Sequence, residues 1–179
     1  MAYYERTNTD LLTSLLVDLI LENNPKFAEG TQLRNALVEH PNFFNLHHLV
    51  EDTMAVCSGG QYEFNDGIHE DFTDESECKT GTLYVYENDT SFAEISSVRS
   101  KSGVLKKGAI RCVVLNPVFE KLQFILVPKA SVLSMMSKNK KTSLCLTWNK
   151  NQQRFTAPID KHGCIEYNSF KELAMEANH

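Results

Sequence analysis

Long apolar runs are missing from this sequence: nothing in it approaches the roughly 18 consecutive apolar residues that a membrane helix requires. The first ten residues, MAYYERTNTD, have neither a basic nor an apolar leader region, so a cytoplasmic protein with no membrane partner is expected. Cysteine is sparse and unpaired in pattern. Cys57, Cys78, Cys112, Cys145 and Cys164 are odd in number, and several stand in apolar stretches, which argues against a disulfide framework. There is no Cys-x-x-Cys and no His-x-x-x-His, so the neighbouring His47 and His48, with His40 or Cys57, make a poor zinc site. A Walker-type phosphate loop and a Gly-x-Ser-x-Gly elbow are also absent. Repeats, low-complexity tracts and long linkers are lacking too, so 179 residues with 42% apolar content suit one domain with an ordinary core.

Basic residues are scarce in the first half. Residues 1–97 hold 4 Lys and Arg against 18 Asp and Glu, a balance of −14, whereas residues 98–179 hold 14 against 5, or +9; together these recover the net −5. A basic half can meet a phosphate backbone while an acidic cluster holds cations.

The first third reads as helical. Thr7, Asn8 or Thr9 can cap a helix to Glu22, in which Leu11, Leu12, Leu15, Leu16, Leu19 and Ile20 recur at helical spacing. Further helices are expected over 31–39 and 45–56, limited by Pro41 and by Ser58-Gly59-Gly60. From Tyr62 onward the texture changes to strands, at 76–79, 83–86, 110–115, 122–127 and 144–148, with 110–127 forming a hairpin turned at Asn116-Pro117. Short helices follow at 130–136 and 170–177. The expected architecture is α/β or α+β: a helical part over 1–57, then a mixed sheet core with flanking helices over 58–179. Phe43, Phe44 and Trp148 read as packing residues.

One segment is out of the ordinary. EFNDGIHEDFTDESECK carries carboxylates at Glu63, Asp66, Glu70, Asp71, Asp74, Glu75 and Glu77 before Lys79, with His69 among them. A solvated acidic loop would account for charge density alone. The segment ends, however, in Glu77-Cys78-Lys79, and strand alternation puts Glu77 and Lys79 on one face while Cys78 points into the core. A carboxylate and a lysine side by side, facing another carboxylate across a turn, suit metal-assisted hydrolysis of a phosphodiester. An exposed cross-strand ion pair is the plainer account of Glu77 and Lys79.

These residues resemble the signature of the PD-(D/E)XK nuclease superfamily: an acidic residue, a variable turn, then Asp/Glu-x-Lys on the next strand. Locally the segment is most similar to the PvuII-type restriction endonucleases, through Glu63-Phe64-Asn65-Asp66 followed by Glu75-Ser76-Glu77-Cys78-Lys79. The resemblance implies a restriction-endonuclease-like fold and a Mg²⁺-dependent endodeoxyribonuclease in which Mn²⁺ can substitute. It further implies Asp66 and Glu77 as metal ligands, Lys79 as the catalytic lysine and Glu63 as a supporting carboxylate. Asp71 and Asp74 stay open as alternatives to Asp66. The likeness covers about 17 residues, lacks the usual proline before the first aspartate, and has a turn one residue longer than in the relative.

Phosphate contacts are expected from Arg99, Lys101, Lys106, Lys107 and Arg111 in the stretch VRSKSGVLKKGAIR, and from Lys138, Lys140 and Lys141. Lys129, Lys150 and Arg154 would extend that basic side. One 20.3 kDa chain with one site would cut both strands as a homodimer, joined through its leucine-rich N-terminal helices. The alternative function is a non-enzymatic DNA-binding or protein-interaction module on a nuclease-like fold; a third is a nuclease acting on RNA.

Overall fold

A computed structural model describes residues 2–65, 70–85, 90–95, 108–136 and 143–177. The chain begins with helix α1 (Ala2–Asn23). Nothing in 2–23 breaks a helix, so α1 runs through Thr7, Asn8 and Thr9 instead of being capped there as expected. A single 3₁₀ turn (Pro25–Phe27) leads to α2 (Gln32–Glu39), where the Thr31 hydroxyl accepts from the Arg34 amide. After a second turn (Pro41–Phe43), α3 (Leu46–Cys57) is capped by Asn45, whose side chain accepts from the His48 amide. Both helices begin within a residue of where they were expected.

Among the described residues seven strands follow: β1 (Glu77–Tyr84), β2 (Thr90–Ile95), β3 (Ile110–Asn116), β4 (Lys121–Val127), β5 (Leu144–Asn149), β6 (Arg154–Phe155) and β7 (Ile165–Tyr167). Their order is β6-β5-β2-β1-β3-β4-β7. β1 is parallel to β3 from Glu77 to Thr82 and, among the described residues, antiparallel to β2 at Leu83 and Tyr84. It is therefore shared by two wings of the sheet. Stretches 76–79 and 83–86 were expected as separate strands; Thr80, Gly81 and Thr82 join them because each pairs with β3. The 110–127 hairpin is present, with β3 and β4 antiparallel. Among the described residues the architecture is mixed α+β. No described helix is long and apolar enough to cross a membrane.

Helix α4 (Lys129–Met136) follows β4, α5 (Ala157–His162) lies between β6 and β7, and α6 (Phe170–Met175) follows β7. All seven residues of β3 are buried, which is what a strand covered on both faces requires. On one face Val113 and Leu126 pack with Leu16, Ile20, Val50, Met54 and Leu173 from α1, α3 and α6. On the other, Ile110, Cys112, Val114 and Ile125 pack with Val132, Leu146, Trp148 and Phe155. Trp148 is fully buried, as expected, but Phe43 is 85% exposed and stacks on His40, leaving Phe44 to pack edge-on against Phe27. Of the apolar residues of α1, Leu16, Leu19 and Ile20 lie in the chain's own core, while Leu11, Leu12 and Leu15 are half-buried.

Gly108 sits so close to the acidic segment that a Cβ there would lie 2.2 Å from the Glu75 carbonyl oxygen. Backbone has to move to admit it. Gly108→Ala is expected to destabilise the fold by roughly 1–3 kcal/mol or more, read as a lower denaturation midpoint in urea.

Candidate active site

The acidic segment begins as a small hairpin. Phe64 bridges Phe72, the Asn65 amide donates to the Asp71 carbonyl at 2.7 Å, and Glu63 and Thr73 pair through Thr73 N to Glu63 O at 3.0 Å. Glu63 itself is exposed. Asp66 and His69 lie outside the described residues. The chain then turns through Glu75, whose φ of 71° is left-handed backbone rare for a residue with a side chain, and enters β1.

β1 does what alternation demands. Cys78 is buried in the helix-side core, and burial raises its thiol pKa strongly. Glu77 and Lys79 project from the opposite face, with Lys79 Nζ 3.5 Å from Glu77 Oε2. Their register partners on β3 are Ile110 and Cys112, so an apolar wall flanks the pair. The Glu77 side chain is 1% exposed and that of Lys79 22%: the lysine reaches solvent and the carboxylate does not. A carboxylate withdrawn from water this far carries a desolvation cost, which the lysine charge offsets.

The strand's two edges are satisfied differently. The Glu77 amide donates inward to the Ala109 carbonyl at 2.9 Å. The Cys78 amide points the other way, where β2 has not yet joined, and donates to Asp71 Oδ2 at 2.9 Å. Asp71 therefore brings a carboxylate to the outer edge of β1. Asp74 is turned elsewhere. Its Oδ1 accepts from the Ser76 amide at 3.0 Å and from the Ser76 hydroxyl, and its Oδ2 stands 3.9 Å from Arg111.

Arg111 corrects an expectation. It was grouped with the phosphate-binding residues, yet its side chain is completely buried. The guanidinium donates to the Ser76 hydroxyl at 2.5 Å, to the Leu173 carbonyl at 3.2 Å and to the Glu176 carbonyl, and stacks 4.3 Å from the centre of the Tyr62 ring. The signal was readable: an arginine inside the apolar run Ile110–Leu115 sits where both faces are buried, and Asp74-x-Ser76 has the form of an Asx turn. Arg154, also assigned to the basic side, is paired with Asp160 at 2.6 Å, while Lys129 and Lys150 are exposed. Arg99, Lys101, Lys106, Lys107, Lys138, Lys140 and Lys141 lie outside the described residues.

Helix α3 adds a group that the sequence did not single out for this site. His47 Nδ1 hydrogen-bonds the Thr80 hydroxyl on β1. Partial desolvation, then the charges of His48 and Lys79, lower its pKa. Among the described residues no three His, Cys, Asp or Glu side chains group closely enough to hold a metal ion. No protein-family model, curated protein or solved structure matches the chain.

Two outcomes follow from this geometry. Lys79→Met, which withdraws the cation from the buried carboxylate, is expected to destabilise the fold by about 1–3 kcal/mol in chemical denaturation. Because the folded pKa of His47 lies below that of the unfolded chain, the unfolded state takes up more protons as pH falls. Its stability contribution is complete well above pH ~6.5 and is lost as pH drops through and below that value. A series of urea midpoints from pH 8 down to pH 5 should show a decline that His47→Gln flattens.

Proposed function

We propose that this chain is a Mg²⁺-dependent endodeoxyribonuclease on a restriction-endonuclease-like fold, with Mn²⁺ able to replace Mg²⁺. The observation that supports it best is the Glu77 and Lys79 pair, side by side on one face of β1 at 3.5 Å, immediately after a carboxylate-rich hairpin. Hard carboxylate oxygens suit Mg²⁺, which needs only one or two from protein alongside water and a substrate phosphate. In this reading Asp66 and Glu77 hold the metal, with Glu63 in support. Asp71 is the stronger alternative to Asp66, because its carboxylate already reaches β1, whereas Asp74 is engaged with Ser76 and Arg111. When bound, the metal lowers the pKa of a coordinated water and screens charge on the phosphate. Lys79 orients the attacking water and stabilises the negative charge that builds as the new phosphorus–oxygen bond forms and the bond to the leaving sugar oxygen breaks. Arg99, Lys101, Lys106, Lys107, Lys138, Lys140 and Lys141 supply phosphate contacts. Cutting both strands calls for two copies related by a two-fold axis, with the leucine-rich N-terminal helices as the interface.

One observation favours a second reading, a non-enzymatic DNA-binding or protein-interaction module on a nuclease-like fold. The Glu77 carboxylate is 1% exposed and already faces a lysine, as in a purely structural pair. Metal dependence separates the two. Supercoiled plasmid, linear duplex, single-stranded DNA and RNA incubated with Mg²⁺, Mn²⁺ or EDTA should be cut only with metal, and Glu77→Ala and Lys79→Ala should each reduce the rate by at least about a hundredfold. Binding that persists in EDTA, with no substrate cut by folded native protein, would establish the module instead.

A further inference from the structure

The buried Arg111 network reaches the candidate site through Ser76 and Asp74. Its guanidinium donates to the Ser76 hydroxyl at 2.5 Å, and that hydroxyl donates on to Asp74, so Ser76 is held from both sides. Ser76 is the residue before Glu77. Ser76 faces the helices with Arg111, while Glu77 and Lys79 project from the other face of the sheet. Between them lies only the strand backbone, which is fixed on one side by Glu77 N to Ala109 O and on the other by Cys78 N to Asp71. The other end of the network is far away in sequence: Arg111 donates to the carbonyls of Leu173 and Glu176, and the Tyr62 hydroxyl donates to the Ala174 carbonyl at 2.5 Å.

We infer that Arg111 is a positioning residue, which acts through Ser76 to fix the first residue of β1 and hence where the Glu77 carboxylate stands relative to Lys79. Its consequence for cleavage rests on the nuclease reading; its consequence for the strand does not. A guanidinium suits the task because its planar fork reaches the strand, the helix end and the Tyr62 ring together, which an ammonium cannot do. Turn strain adds a reason for the clamp: Glu75, with φ of 71°, needs its neighbours held for the left-handed turn to persist.

Removing Arg111 would dismantle the whole network, so the test cuts it at either end in the full chain. Ser76→Ala removes the hydroxyl that joins Arg111 and Asp74 to the strand and leaves the guanidinium on α6. Tyr62→Phe breaks a link to α6 and leaves Ser76 in place. Ser76→Ala is expected to lower the cleavage rate at saturating DNA by about ten- to a hundredfold, with the DNA concentration for half-maximal rate changed by less than about twofold. The Mg²⁺ requirement should rise with it. Amide hydrogen exchange at Glu77, Cys78 and Lys79 should quicken by about tenfold or more in Ser76→Ala alone. Tyr62→Phe should lower the melting temperature without either effect. Unchanged exchange at 77–79 in Ser76→Ala overturns the inference, as does an equal loss of cleavage in both variants at equal loss of melting temperature. Should native protein cut nothing, the nuclease reading falls while the exchange comparison still decides the role of Arg111.

Discussion

A guanidinium completely buried between a sheet and a helix must have its donors satisfied, and that requirement organises this molecule. A charge taken out of water is tolerated only when its partners are in place with good geometry. For Arg111 they come from three remote parts of the chain: Ser76 and Asp74 from the acidic segment, the last turn of α6, and the Tyr62 ring. Satisfying one side chain thus brings the end of α6 against the beginning of β1. Burial also raises the Tyr62 hydroxyl pKa strongly, which keeps the phenol neutral and able to donate to Ala174.

The same strand carries a second constraint. β1 belongs to both wings of the sheet, parallel to β3 along most of its length and antiparallel to β2 at its end. Where β2 has not yet joined, an outward amide would lack a strand partner, and the Asp71 carboxylate takes that role for Cys78. One acidic side chain therefore completes a sheet edge and lies beside the Glu77 and Lys79 strand. Structural and chemical uses of the carboxylates are divided by position: Asp74 serves the turn and Arg111, Asp71 the strand edge, and Glu77 faces Lys79.

Much of this was legible from local pattern. The helical spacing of leucines, the starts of the second and third helices, the 110–127 hairpin and the opposed faces of Cys78 and Glu77 each depend on neighbours within a few residues. What was missed depends on distant ones. β2 is rich in residues of weak strand preference, Ser, Ala and Glu, and is held by Leu83, Tyr84 and β5 rather than by propensity. β6 and β7 are two and three residues long, too short for any periodicity. α5 did carry a signal, Pro158 in its first turn and Gly163 just past its end with φ of 69°. At the site, the Glu77 and Lys79 pairing followed from alternation, and the apolar run around Arg111 signalled its burial, but its acceptors on α6, some sixty residues further along, lie beyond any local reading.

That separation has a consequence for synthesis. Ser76 leaves the ribosome about a hundred residues before Glu176, whose carbonyl is among the acceptors of the Arg111 clamp. At translation speeds of about 5–20 residues per second, the acidic segment waits roughly 5 to 20 seconds for the partner that locks its turn. Until then the nascent chain holds Ser76, Asp74 and Arg111 without the helix end that closes over them. The acceptors that close the clamp over the start of β1 are thus among the last residues of the chain to be made.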